Sequence, residues 1–382
     1  MELSLSNSTL LEHYQTTILE YVFNYIGQKN VKAIIFTGSV ARNQANFKEI
    51  DGEMFLESDI DVVIVVRARA LLKCLSLVKK LSRIITDNLH KSRLLSEVSL
   101  SVVTEKSITN AKPSIFMYDL IKNGNLIYQS MKDKLIFPHF LVQDIPKSDI
   151  YRLLFNRMVE ALNSFVTNCL FNKFDECKNI LILHSLEKLD LSIIQSIIMQ
   201  SGLIIFHLSP SLFDRLENEP VFGRDPRIQD IAKHLRDLQK WNKHGVIPRA
   251  EVEKLWIDTV ERFRTFLKFY GFDESSQSGF DKMLIPQGLT RKTISSILIF
   301  IQYCKISPLN DLIKSIIFIE RFGPDRVYLM MYNLFVSSLQ FLNLSNKTNI
   351  ERCFIDSNDA KRDKWLDSFN FGMKVWKHKT GA

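Results

Sequence analysis

The 382-residue sequence predicts a mixed α/β domain followed by a large, all-α C-terminal region. Three observations lead there. Two apolar, β-branched runs, 31–36 and 62–66, flank a polar segment close to the N-terminus. A long helical pattern then separates the second run from an alternating strand at 94–104. Beyond residue 148 the apolar spacing is helical almost throughout, and the chain holds only 13 glycines and 10 prolines.

Residues 8–28 read as an amphipathic helix. Thr9 and Glu12 fit a capping box, the apolar positions recur near every 3.6 residues, and Gly27 and Asn30 suit a stop. Val31 to Phe36 is a buried strand that ends at Thr37-Gly38-Ser39. The acidic segment 43–57, with Glu49, Asp51, Glu53 and Glu57, reads as an exposed loop or hairpin, with an acceptor pocket as the functional alternative. After Ser58-Asp59-Ile60-Asp61, Val62 to Val66 is a second β-branched strand run, and Ala68 to Leu89 a helix with basic residues among its leucines. In 94–104, Val98, Leu100 and Val102 share one face and Glu97, Ser99 and Ser101 the other. Residues 114–129 predict a short helix, a Lys-Asn-Gly-Asn turn and a short strand. The first domain therefore ends near 135, and Pro138 and Pro146 bracket a linker.

Candidate helices follow at 148–170, 174–186, 189–201, 210–217, 226–243, 248–270, 290–305, 308–321, 324–344 and 359–377. A polar break at 273–279 divides them into a helical domain, 148–272, and a C-terminal bundle, 285–382, unless the two are continuous. No internal repeat stands out.

The chemistry concentrates at the ends of the two buried strands. Side chains alternate along a strand, so Asp59 and Asp61 project to one side at its start. Two carboxylates so placed repel each other unless a cation sits between them. Oxygen-only ligands suit Mg²⁺, which takes one or two carboxylates plus substrate phosphates. Gly38-Ser39 adds a turn where a phosphate can approach the backbone closely.

Thr37-Gly38-Ser39-Val40-Ala41-Arg42 followed by Ser58-Asp59-Ile60-Asp61-Val62-Val63 resembles the signature of the DNA polymerase beta-type nucleotidyltransferase superfamily. The resemblance covers about the first third of the chain and departs from the pattern twice. Asn43 stands where the family often has glycine, and the gap from Ser39 to Asp59 is longer than in compact members. It implies a polymerase-beta-like domain with a mixed sheet and an NTP, ATP foremost, bound in a cleft against the helical region.

The implied reaction moves a nucleoside monophosphate from the NTP to a hydroxyl or phosphate acceptor and releases pyrophosphate. Gly38, Ser39, Arg42 and Ser58 would hold the nucleotide, and two Mg²⁺ ions, or Mn²⁺, would sit on Asp59, Asp61 and Glu97. For Arg42 the alternative is a solvated helix residue. For Glu97, the third carboxylate by resemblance, it is a surface residue on an edge strand, with Ser99 marking the position of a lost acid. Arg152 and Arg157, on the first helix of the second region, have a phosphate-contact reading and a charged-face reading. Small molecules and nucleotides are the favoured acceptors, with RNA 3′ ends and protein hydroxyls as alternatives. A catalytically silent nucleotide-binding protein on the same fold is the competing reading.

Composition narrows the remaining classes. With 46% hydrophobic and 24% charged residues, the chain is globular and not disordered. Five scattered cysteines form no CxxC pair, and the histidines show no HxH or HExxH spacing, which argues against zinc and a disulfide framework. Glu2 and Glu12 do not suit a signal peptide, and no apolar run reaches bilayer-spanning length, so the expected location is the cytoplasm. A net charge of +8 leaves nucleic acid as a possible partner. The 224–268 segment interleaves basic residues with Trp241, Trp256 and Phe263, but acids lie among them, and packed helices explain it more simply.

Overall fold

The computed structural model describes residues 7–131, 134–170, 179–199, 226–244, 247–269, 331–338, 366–370, 372–373 and 376–377. The chain divides into two compact units, Met1–Pro146 and Lys147–Ala382. The first is mixed α and β, and every element described in the second is helical.

The first unit is built on a four-stranded sheet in the order β5-β4-β1-β6. Strand β1 (Val31–Thr37) pairs antiparallel with β4 (Ile60–Val66) and β6 (Asn125–Gln129), and β4 pairs parallel with β5 (Val98–Thr104). The two central strands read as continuous apolar runs because both of their faces are covered. Ile34, Phe36, Val62, Ile64 and Val66 pack on helices α1 (Asn7–Ile26) and α3 (Leu71–His90). Ala33, Ile35, Val63 and Val65 pack on the other face against α4 (Glu105–Thr109) and α5 (Ile115–Asn123). The mixed sheet agrees with the predicted fold class at this level.

Helix α1 buries Leu10, Tyr14, Ile18, Val22 and Ile26, one residue per turn. Each aliphatic member of that stripe contributes about 1.5–3 kcal/mol relative to an exposed position. The helix already includes Asn7, so Thr9 lies within it and not at its cap. It ends at Gly27, and the Asn30 side chain donates to the Ile26 carbonyl at 2.8 Å. Helix α3 positions the start of β5 through two hydroxyls. Thr86 Oγ1 accepts from the Val98 N–H at 2.9 Å, and the Ser82 hydroxyl donates to the Val98 carbonyl. β5 itself begins at Val98, later than the predicted 94, and Leu94 makes only an isolated bridge to Leu56.

Of the two readings for segment 43–57, the structure adopts the hairpin. A four-residue helix, α2 (Gly38–Ala41), leads to β2 (Phe47–Ile50) and β3 (Glu53–Leu56). The two-residue turn has positive φ at both positions, 53° at Asp51 and 80° at Gly52. That is the Asp-Gly turn that matches the twist of paired strands.

In the second unit, α6 (Lys147–Phe165) runs into a π-helical turn, Val166–Leu170. Helices α7 (Asn179–Met199), α8 (Pro226–His244) and α9 (Arg249–Phe269) follow. The predicted pair 174–186 and 189–201 is one helix where described. Leu186, Leu189, Ile193 and Ile197 continue a single buried stripe across the expected break. Proline opens α8, where its missing N–H costs nothing. The core is aromatic: Trp256 stacks on Phe165 at 4.1 Å, and its indole N–H donates to Ser338 at 2.9 Å. The predicted helices 210–217, 290–305 and 308–321 and the 273–279 break lie outside the described residues, as do most of 324–344 and 359–377.

Candidate functional site

The ladder register builds the site. Thr37 at the end of β1 faces Asp61 on β4, and Asp61 faces Ser99 on β5. One residue upstream of β5, the Glu97 carbonyl accepts from the Ile60 N–H at 3.0 Å, which sets Glu97 beside Asp59. By strand alternation Asp59, Asp61, Glu97 and Ser99 share the face of Val63 and Val65. They lie at the sheet end away from the N-terminus of β1.

Gly38 fits this end closely. Its φ is +72°, in the region only glycine enters without strain, and a Cβ there would lie 2.6 Å from Asp61 Oδ2. The Asp61 carboxylate thus rests against the Gly38 backbone, in space a side chain would fill. Asp61 is partly buried, whereas Asp59 is exposed, and Asp59 Oδ1 accepts a long 3.4 Å bond from the Glu97 N–H. Ser39, next in the turn, is partly exposed, and its carbonyl accepts from the Gln44 N–H at 2.8 Å. Asn43 has φ +57°, a left-handed conformation that asparagine tolerates better than most residues. This is the conformational reason that a residue other than glycine can stand there.

Two predicted nucleotide contacts are engaged within the fold. Arg42 Nη1 pairs with Asp119 Oδ2 at 2.5 Å, and its Nε donates to Gln44 Oε1 at 2.8 Å. Both partners of the ion pair are largely buried, with side chains 14% and 10% exposed, so Arg42 ties the turn to α5 and is not a solvated helix residue. The Ser58 hydroxyl accepts from the Asn46 N–H at 2.8 Å, where it pins the base of the hairpin. Sequence reading did not single out Asp119, which also accepts from Asn123 at 2.7 Å. Its only signal was a lone acid, four residues before an asparagine, in an apolar helix.

The carboxylates come together in part. Asp59 and Asp61 share a strand end, and Glu97 lies across from Asp59 with its side chain exposed. Among the described residues, no group of three or more His, Cys, Asp or Glu side chains is gathered closely enough to hold a metal ion. Asp59 and Asp61 supply carboxylate oxygens of the kind Mg²⁺ takes together with phosphate and water oxygens. The predicted two-ion, three-carboxylate set is not assembled. Arg152 and Arg157 belong to the second unit, where Arg157 pairs with Glu160 at 2.5 Å.

No helix among the described residues is long and apolar enough to cross a membrane. No protein-family model matches the chain, and neither a curated protein nor a solved structure matches it.

Proposed function

We propose that the protein is a metal-dependent nucleotidyltransferase that moves a nucleoside monophosphate from an NTP to a hydroxyl-bearing small molecule or nucleotide. The observation that carries this reading is the seating of the Asp61 carboxylate against the side-chain-free Gly38, with Asp59 projecting to the same face. Sequence order supports it as well. A Gly-Ser turn after one buried strand and an Asp-x-Asp on its antiparallel neighbour is the pattern of the polymerase-beta-like fold.

In this reading the acceptor hydroxyl oxygen attacks the α-phosphorus and releases its proton to solvent, the bond to the bridging oxygen breaks, and pyrophosphate leaves with that electron pair. Asp59 and Asp61 would hold Mg²⁺, or Mn²⁺. Such an ion would neutralise the triphosphate and would make the attacking hydroxyl more acidic. The Gly38-Ser39 turn gives the phosphates a close approach to the backbone. Because Gly38 lacks a side chain, the Asp61 carboxylate can sit against this turn, where its charge would already be in place for the reaction.

The second reading, a nucleotide-binding protein without turnover, draws on Ser99. This neutral residue stands beside Asp61 on the neighbouring strand, and the three carboxylates are not gathered. One experiment separates the two. Purified protein is given α-labelled NTPs with Mg²⁺ or Mn²⁺ and candidate acceptors, alongside Asp59→Ala/Asp61→Ala and Ser99→Asp. Label transfer and pyrophosphate release by the parent chain, lowered more than about a hundredfold in the double variant, support the transferase. Nucleotide binding without turnover by the parent chain under every condition refutes it. Turnover acquired only by Ser99→Asp would identify a lost acid.

A further inference from the structure

The sheet end opposite Asp59 and Asp61 has a different character. There β1 begins, β4, β5 and β6 finish, and α1 and α3 bring their nearest turns. A cleft of about 440 Å³ opens between the ends of β4 and β5, with Lys32, Arg67, Arg69 and Lys106 among its walls. Glu105 is the one acid lining it, and it pairs with Lys32. The Arg67 guanidinium donates to the Lys29 carbonyl at 3.0 Å, which brings the exposed Lys29 to the same rim. Lys73 is exposed two residues into α3. From Val62 to Cys74, where β4 ends and α3 begins, the sequence carries Arg67, Arg69 and Lys73 and no acid.

Large apolar side chains stand out in water among these cations. Leu72, three residues after Arg69, is 81% exposed. Met131 is 106% exposed, and it directly follows Ser130, whose N–H donates to the Lys32 carbonyl at 2.8 Å. These are the two most exposed of the large apolar side chains among the described residues. Tyr25, in the last turn of α1, adds a third at 39%. Cations alone would suit any polyanion. Aliphatic tips at the same end of the sheet as these cations suit a surface that is anionic outside and apolar a few ångströms beneath.

We propose that this end of the sheet docks on an anionic phospholipid membrane. Leu72 and Met131 enter the boundary between headgroups and acyl chains, and the basic rim contacts lipid phosphates. A nucleic-acid backbone would satisfy the cations but cover neither aliphatic tip. Docked this way, the protein turns the Asp59 and Asp61 end of the sheet toward the aqueous side.

The test is co-sedimentation of the full chain with vesicles of pure phosphatidylcholine, and with vesicles that also contain about 30 mol% phosphatidylglycerol. The expected result is binding to the anionic vesicles only, weakened when salt is raised from about 0.05 to 0.5 M. Each cation near such a surface contributes about fivefold, so Arg69→Glu/Lys106→Glu lowers partitioning by at least about 25-fold. Leu72→Ser/Met131→Ser lowers it roughly tenfold or more. All four positions are exposed, and both variants retain the parent melting temperature. A uridine homopolymer is the competing polyanion. Failure to bind anionic vesicles at low salt, or binding that ignores the Leu72/Met131 variant, overturns the proposal. So does charge-dependent binding of the homopolymer by a chain that leaves the vesicles untouched.

Discussion

Replacing Gly38 with alanine tests the arrangement at the strand ends. The added methyl meets two penalties that can be separated. A non-glycine residue at φ +72° carries about 1–2 kcal/mol of backbone strain. The methyl also lies 2.6 Å from Asp61 Oδ2, about 0.9 Å inside normal contact, which adds about 1–2 kcal/mol of overpacking. Together these lower the melting temperature of the first unit by about 5–12 °C. Relief requires the Asp61 carboxylate to shift by most of an ångström, and a displacement of that size costs about a hundredfold in turnover. A double-mutant cycle isolates the second penalty. In an Asp61→Ala background only the Cβ remains, 3.6 Å from the new methyl and in ordinary contact. Gly38→Ala should then cost the backbone share alone, leaving a coupling of about 1 kcal/mol or more. Denaturant melts of the four proteins measure it. Additivity within about 0.5 kcal/mol would refute the claim that Asp61 is seated against Gly38.

Two further outcomes follow from buried groups in the same unit. Arg42→Gln strands the Asp119 carboxylate and should cost about 2–4 kcal/mol in denaturant melts. Asp119→Asn in the same chain should restore part of that loss, and nucleotide affinity per folded molecule should stay unchanged if Arg42 acts through α5. Tyr14 donates to the Ser92 carbonyl at 2.8 Å, and burial pushes its hydroxyl well above the usual tyrosine range, against a smaller opposing pull from Arg93. The unfolded chain therefore releases this proton near pH 10 while the folded chain keeps it. Stability should fall as pH rises above about 10, and Tyr14→Phe should flatten that slope in melts taken across the alkaline range.

The sequence made the two central strands and α1 legible because both signals are strong. The strands are apolar runs ending at a glycine turn or starting at an acid pair, and the helix carries an unbroken one-per-turn stripe. It also placed Ser99 on the strand beside Asp-x-Asp, since period-two alternation survives along β5, whereas Glu97, expected on that strand, lies one residue before it. What it missed depends on pairing. Nothing local to Arg42 announces Asp119, which lies 77 residues further on. Ser58 looked like part of a nucleotide site because its neighbours do, yet its oxygen is used by Asn46 across the hairpin. Asp51-Gly52 was a readable hairpin signal, and it lay within a segment whose acidic character drew attention to solvation. In α7 the sequence reading left a gap at Glu187 and Lys188, but the helix runs through it, and just beyond it Asp190 is fully buried and accepts from His234 Nδ1 at 2.6 Å. A pairing with another helix, which local spacing does not reveal, holds this part of α7 in the core.

The strand order has a consequence for biosynthesis. β1 is made early and gains β4 on one side, but its other side is completed only by β6, as in the pairing of Ala33 with Gln129. A ribosome adds about 5–20 residues per second, so roughly 5–20 s pass between the end of β1 and the arrival of its second neighbour. During that time the nascent chain displays an apolar strand with an open edge, a template for joining any other extended segment. Closing the sheet therefore waits for about 90 residues of synthesis beyond β1, and competition from self-association is greatest in the seconds before β6 emerges.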